Sequence, residues 1–390
     1  MRVVMLVHNM VGRGTFQRAH SLARHLATNG NQVTIYAGAV APAAPRDETL
    51  NGVRVVSSYD PLSDRARESG LSPFELVSRI RHGLSEPCDI VHCFDHRPTV
   101  SITGLIMARR HRVPLIFDWA DLWGFDGIAS HRGIASRIVF GTTDELLENR
   151  VRRYADGLTV ISTALRARAQ SYFDIPIHLL PVGASSDLIR PLPKDEMRRK
   201  FRLPEDAFIA MHTGLAPYDM RYLAESFVIL AQRQPRSILV MTARRFPEIE
   251  QILASAGLSD RLICLGMLDL TGLGEALACA DALLLPYTNC SVNRYRYPNK
   301  LGDYLSAGRP IVTNRTGDLG SLVEREGVGL VADDTPEAFA ASIEKLATDI
   351  HLATELAHRA RQFAEQKLDW RFLAADLERF YHDILDRHSK

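Results

Sequence analysis

The chain has 390 residues, 46% of them hydrophobic and 24% charged, with a formal net charge of +1. That length favours two domains, and the composition is that of a soluble globular protein with a sizeable core. The balanced charge offers no basic field for nucleic acid, and five scattered cysteines without a CxxC pair argue against a disulfide framework or zinc knuckle and for a reducing cytoplasm.

The N-terminus enters a strand pattern over 3–7 directly, without a signal-peptide layout, and no apolar run reaches the ~20 residues needed to span a bilayer. Gly12, Gly14 and Thr15 lead into a helix over 16–27, with Phe16, Ala19, Leu22, Ala23 and Leu26 at helical spacing. Further strands fit at 32–36, 53–56, 89–94, 115–119, 158–161 and 177–181, alternating with helices at 74–81, 100–110, 144–153 and 164–171, the last capped by Ser162. Residues 182–196, rich in Gly, Pro, Ser and Asp, read as a linker. The alternation then restarts, with strands at 207–213, 238–241, 262–265, 282–285, 310–313 and 329–332. Helices fit at 221–233, 246–256, 272–278, 299–307, 319–325 and 336–348. Two helices without a strand between them, 351–366 and 370–387, close the chain.

Strand–helix repetition of this kind predicts an α/β protein with parallel sheets covered on both faces, and ligands beyond the C-terminal strand ends. His8, Asn9, His92, Asp95, His96, Asp118, Asp121 and Ser162 fall at or near such ends. His92 alternates with apolar neighbours and reads as structural, whereas His96 at the strand exit is the better functional candidate.

The stretch YRYPNKLGDYLSAG at 295–308 carries the strongest chemical signal. Pro298 suits the first position of a helix that runs to a stop at Gly308. Free amides and the positive dipole end would then make an anion site, to which Lys300 adds a full charge. Asp303 shares a helix face with Lys300 and suits a ribose diol one turn from a diphosphate. An ordinary capped helix with an exposed Lys–Asp pair has the same pattern.

GRGTFQ at 12–17 begins like a dinucleotide fingerprint, but Gln17 replaces the third glycine and no acidic residue follows the second strand. No DxD stands at metal-ligand spacing; Asp118 and Asp121 form DxxD, and Asp333-Asp334 reads as a turn. No catalytic metal or cofactor is expected. The absence of a G-x-S-x-G elbow and of an activated cysteine disfavours a covalent serine or cysteine mechanism.

Across nearly its whole length the chain resembles the family 4 glycosyltransferases of GT-B fold, two Rossmann-like domains facing across a cleft. The resemblance lies in the glycine loop, in DIVHCF at 89–94, in ADGLTVIS at 155–162 and in LPVGA at 180–184. It is most specific in ADALLLP at 280–286, PNKLGDYL at 298–305 and GRPIV at 308–312. It implies a retaining transfer of sugar from a nucleotide-diphosphate donor to an acceptor such as a saccharide, lipid-linked sugar or natural product. The first domain, 1–185 completed by 370–390, would hold the acceptor, and 186–369 the donor. Donor contacts are implied at Gly14, Gly214, Arg221, Met267, Arg296, Tyr297, Pro298, Asn299, Lys300 and Asp303. Acceptor contacts are implied at His8, Gly12, Arg13, Asp118 and Asp121. Asp95, His96, Arg221 and Lys300 would assist the chemistry. The sequence departs from the family at Tyr295, where the first Glu of E-x7-E is usual, at Leu215, where a basic residue is usual, and at Phe94, the second histidine position. A GT-B epimerase or phosphorylase and a non-catalytic nucleotide-sugar-binding subunit are the rival readings. Peripheral membrane contact, at most, is expected through Arg109, Arg110, Arg112 and the arginines of 150–153, which a solvated helix face explains as well.

Overall fold

A computed structural model describes residues 1–38, 46–58, 60–62, 68–131, 133–134, 138, 141–214, 217–242 and 245–389. Leu215 lies outside these residues. The chain divides into two compact units, Met1–Pro181 with Trp370–Lys390, and Val182–Asp369.

Strands of the first unit are β1 (Arg2–Met10), β2 (Gln32–Gly38), β3 (Arg46–Leu50), β4 (Val53–Ser58), β5 (Ile90–Cys93), β6 (Leu115–Trp119), β7 (Gly157–Val160) and β8 (Ile177–Leu179). They form one sheet in the order β3-β4-β2-β1-β5-β6-β7-β8. β3 alone runs antiparallel, against β4, with Leu50 paired to Val53. Sequence periodicity missed this charged edge strand. The Asn51-Gly52 turn is its signal: both residues have positive φ, 50° and 80°, as a two-residue hairpin turn demands. Helices α1 (Thr15–Thr28), α2 (Pro73–Gly83), α3 (Pro98–His111), α4 (Thr142–Val151) and α5 (Thr163–Tyr172) connect the strands. Ser162 caps α5 by accepting from the Leu165 amide.

In the second unit, α6 (Lys194–Lys200) begins inside the stretch read as linker. The strands are β9 (Phe208–Thr213), β10 (Ser237–Thr242), β11 (Leu262–Cys264), β12 (Ala282–Leu285), β13 (Ile311–Asn314) and β14 (Gly329–Ala332). Their order is β11-β10-β9-β12-β13-β14, and all are parallel. Helices α7 (Met220–Arg233), α8 (Pro247–Ser255), α9 (Leu270–Ala278), α10 (Ser291–Tyr295), α11 (Lys300–Ser306), α12 (Gly317–Glu326), α13 (Pro336–Thr348) and α14 (Ile350–Phe363) accompany them. Phe227, Leu230, Leu239, Phe339 and Ile343 anchor the core on one face.

The last helix, α15 (Trp370–His388), belongs to the first unit and packs on α1. Glu378 accepts from the side-chain amides of Asn29 and Asn31, and the Tyr381 hydroxyl reaches His92 at 2.7 Å.

Each sheet reverses its direction of growth once, between β1 and β5 and between β9 and β12. Loops diverge at such a reversal and leave a crevice beyond the strand ends. His8, Asp95 and His96 stand at the first, and Thr213, Gly214 and Tyr287 at the second.

Candidate active site

In the second unit the crevice is built around Lys300. β9 ends at Thr213, whose amide donates to the Tyr304 hydroxyl at 2.9 Å. The chain then turns through Gly214 at φ +65°, and a Cβ there would lie 3.4 Å from Lys300 Cε. Glycine therefore permits both the turn and the close approach of the lysine stem. Lys300 Nζ sits 3.0 Å from His212 Nε2, while His212 Nδ1 is 2.9 Å from the Leu284 carbonyl. A carbonyl can only accept, so Nδ1 carries the proton and Nε2 accepts from the ammonium. Burial, reinforced by the Lys300 charge, holds His212 well below its ordinary value, which keeps the ring neutral. Burial also pushes Lys300 down to about 7; Arg296 adds to that shift and Asp219 opposes it.

Asp303 follows on α11. Its surface is only partly covered, yet its carboxyl is hemmed in closely enough that burial pushes it up to about 7. Its carboxylate accepts no hydrogen bond from the described residues. Asp219 is buried behind the site and accepts from the Thr288 amide at 3.1 Å, the Thr288 hydroxyl at 2.6 Å and the Asn293 side chain at 3.1 Å. The Arg296 guanidinium lies 5.7 Å from the Tyr218 ring centroid and 5.8 Å from that of Tyr287. Among the described residues, the Lys300 and Arg296 cations thus lie near one another with buried Asp219 close to both, an arrangement that favours a polyanion. Perturbed titratable groups of this kind concentrate at functional sites.

Several sequence expectations need correction here. The helix starts at Lys300 rather than Pro298, and it has seven residues. Its first amides are not free, because Leu301 and Gly302 donate to the carbonyls of Pro298 and Asn299 at 3.1 and 3.2 Å. The local charge therefore comes from the Lys300 and Arg296 side chains. Arg221 is exposed and paired with Glu225 at 2.8 Å, and Met267 is 70% exposed. Among the described residues, no hydrogen bond or ion pair joins either to Lys300, His212 or Arg296. Asn299 is exposed, and Tyr297 is buried with a hydroxyl that has no partner among the described residues. His212, Asp219 and Asn293 escaped the sequence reading; only the fold brings them beside Lys300.

Gly302 serves packing rather than catalysis. A Cβ there would collide with the Gly183 carbonyl oxygen. Gly302→Ala is therefore expected to cost about 1–3 kcal/mol, the usual penalty for overpacking, read as a lowered urea midpoint. An unchanged midpoint would refute the close approach.

In the first unit, the carboxylate of Asp95 is ringed by donors. His8 Nδ1 lies 2.8 Å from Oδ2 and His96 Nδ1 2.9 Å from Oδ1, close enough for ion pairing though poorly aligned as hydrogen bonds. Burial works to raise Asp95, but the charges of His8 and His96 outweigh it and hold the group well below the usual carboxylate range. His96 is fully buried. Burial works to lower it, yet Asp95, Asp144 at 3.5 Å and Glu148 together hold it above its ordinary value. Arg97 stacks over Trp123 at 4.5 Å. A small cavity of about 20 Å³ lined by Thr15, Asp95, Asp118, Asp121 and Trp123 opens beside them.

Asp118, expected at the acceptor, is committed elsewhere. Its side chain is wholly buried and takes a bidentate grip from Arg18, 3.0 Å to each oxygen. It also accepts from the Thr159 hydroxyl at 2.6 Å. That hydroxyl has spent its proton, so it accepts from His92 Nε2 at 3.2 Å, and His92 Nδ1 accepts from Tyr381. Burial drives His92 down to about 3, with Arg18 adding to the effect and Asp118 opposing it, so the ring is a neutral structural relay. In the glycine loop, Asn9 Oδ1 accepts from the Thr15 amide and hydroxyl, both at 2.7 Å, and a Cβ on Gly14 would strike that side chain. Gly12 has φ +82°, and Arg13 pairs with Glu68 at 2.8 Å. Asp121 is partly exposed at the cavity. Among the described residues, no group of three or more His, Cys, Asp or Glu side chains is arranged to hold a metal.

Comparison with known proteins agrees with this layout. The Glycosyl transferase 4-like domain matches residues 13–183, and the Glycosyl transferases group 1 domain matches residues 208–349. D-inositol 3-phosphate glycosyltransferase 1 of Catenulispora acidiphila is 30% identical over 203 residues, covering 49% of this chain and only 46% of that protein's length. The D-inositol 3-phosphate glycosyltransferase of Thermobispora bispora is 25% identical over 392 residues, 94% of this chain and 89% of its own. Sucrose-phosphate synthase from Thermosynechococcus elongatus superposes with a TM-score of 0.80 at 17% identity over 99% of this chain and 100% of that one. Anabaena HepE in complex with UDP and glucose does so with a TM-score of 0.76 at 14% identity, covering 98% and 100%. Two sheets, the second all parallel and the first parallel but for its edge strand β3, and two successive domain matches place the chain in the glycosyltransferase family of GT-B fold, the glycosyl transferases group 1.

Proposed function

We propose that the second unit holds a nucleoside-diphosphate sugar and that the enzyme transfers the sugar, with retention, to an acceptor hydroxyl presented by the first. The observation that carries this reading is the pairing of Lys300 with neutral His212 beside Arg296 and the unoccupied acceptor oxygens of Asp303. Lys300 and Arg296 would hold the diphosphate, and Asp303 the ribose diol. In a front-face substitution the anomeric carbon loses its bond to the diphosphate while the acceptor oxygen bonds on the same face. The acceptor's proton passes to the departing phosphate oxygen, so no strong protein base is required. Fixed cations stabilise the charge that grows on the leaving group, and the reaction is proposed to need no metal.

UDP-glucose is the first donor to test, because Anabaena HepE was solved with UDP and glucose; D-inositol 3-phosphate is the first acceptor, because two relatives are named for it. In EDTA, UDP should be released only when acceptor is present, and proton NMR should show the donor's anomeric configuration in the product. Inversion, or release without acceptor, would overturn the mechanism.

Lys300 also sets a pH dependence. Its ammonium is protonated below about 7 and lost above it in the ligand-free protein. Affinity for inorganic pyrophosphate should fall by up to about tenfold per pH unit above 7, since binding must then return the proton. Asp303 moves the opposite way, ionising as pH rises through about 7, so UDP should show a shallower decline than pyrophosphate. Calorimetric titrations from pH 6 to 9 check both slopes; identical slopes would detach Asp303 from the ribose.

A further inference from the structure

α2 is built inside out. Its buried positions are Glu75, Arg79 and Gly83, with Glu75 and Arg79 joined in a salt bridge, while Phe74 and Val77 stand 52% and 47% exposed. A surface helix ordinarily does the reverse. Leu71 and Leu84, just before and after the helix, are exposed as well. α3 packs alongside and adds exposed Ile102. It ends in Arg109, Arg110 and His111, with Arg112 at its C-cap. His111 Nε2 meets the Gly83 carbonyl at 2.9 Å, which pins this basic end against α2. Arg109 covers the ring of Tyr154, itself 60% exposed. Charge is one-sided here. Between residues 71 and 85 the sole acid is Glu75, which is buried, and residues 96–117 contain none.

The geometry points to an anionic lipid bilayer as the partner of this face. Phe74 and Val77 enter the headgroup boundary, and Arg81, Arg109, Arg110 and Arg112 meet lipid phosphates. Exposed apolar side chains together with Arg81, Arg109, Arg110 and Arg112, none of them in a salt bridge among the described residues, match such a surface on both counts. A second copy docking symmetrically would set the same cations against each other, which disfavours it. Of the arginines in 150–153, Arg152 takes no part. It is buried, stacked 4.4 Å over Trp119 and bonded to the Glu148 carbonyl. The docking is independent of the sugar chemistry.

Co-sedimentation of the full chain with vesicles tests it. Phosphatidylcholine vesicles containing about 30 mol% phosphatidylglycerol should bind the protein, pure phosphatidylcholine should not, and about 0.5 M salt should release it. A Phe74→Ser/Val77→Ser variant and an Arg109→Glu/Arg110→Glu variant should each weaken binding about tenfold or more. Arg236→Glu, 81% exposed on the other unit, should leave it intact. Melting profiles confirm folding, and the charge variant carries the test if the apolar one fails to fold. Equal binding to neutral vesicles, no binding, or binding indifferent to both variants overturns the proposal. So does a wild-type dimer in gel filtration that Phe74→Ser converts to monomer, or soluble acidic protein competing for the face without any affinity for vesicles.

Discussion

Lys300→Ala should lower kcat/KM by about 10²–10³-fold, the loss seen when one fixed donor is removed from a charge-stabilising site. The ammonium is held by a neutral imidazole, which orients it without neutralising it. Removing it leaves Arg296, among the described residues, as the cation acting on buried Asp219. A Lys300→Met variant keeps most of the stem that packs under Gly214, so its loss isolates the charge. Lys300→Arg should rescue poorly, because a planar guanidinium cannot occupy the point contact with His212. Arg296→Ala should also be severe, whereas Arg221→Ala should be milder, since Arg221 is solvated and paired with Glu225. Steady-state kinetics and calorimetric UDP affinity separate the cases. Turnover within threefold of wild type for Lys300→Ala would remove the site.

Asp118→Ala should destabilise the first unit by about 3–5 kcal/mol, because it strands a buried guanidinium. Arg18 keeps two carbonyl partners, Leu180 at 2.6 Å and Pro181 at 2.9 Å, but these cannot neutralise it. The Thr159–His92–Tyr381 chain loses its terminal acceptor in the same step. For a unit of this size the melting temperature should drop by about 6–20 °C, at ~2–4 °C per kcal/mol. Replacing both partners, as Arg18→Met/Asp118→Leu, should recover most of the loss. Asp121→Ala, at a partly exposed position, should stay within about 0.5 kcal/mol. Differential scanning calorimetry reads all three. A loss under about 1 kcal/mol for Asp118→Ala would contradict the buried ion pair.

The contrast between Asp118 and Asp121 shows what the sequence could convey. Both lie in one DxxD near a strand end, and spacing treats them alike. What separates them is Arg18, 100 positions away, and no local pattern reports that distance. His212 is similar: in a run of strand residues it reads as core, and only the parallel register that sets β9 beside β12 gives it the Leu284 carbonyl and Lys300. By contrast, whereas Gly214 entered only through the family resemblance, the placing of Lys300 and Asp303 on one helix was legible, because a helix spacing is a local feature. The strand–helix alternation was legible for the same reason. β3 was missed because its five residues are mostly charged, although the Asn-Gly turn beside it is a local hairpin signal. The start of α11 was misplaced because proline at a first helical position is a preference, and here the 3₁₀-type bonds to Pro298 and Asn299 carry the entry instead.

The return of α15 to the first unit has a bearing on synthesis. Tyr381 and Glu378 supply partners that β5 and the end of α1 need, and they are translated only after the whole second unit. At ~5–20 residues per second, translating the intervening second unit takes about 10–40 s. Throughout that interval the nascent first unit must leave uncovered the groove that α15 will fill, with His92 and Asn31 open to water or to a chaperone. The second unit, contiguous in the chain, has no such delay, so the later-encoded half can finish folding first.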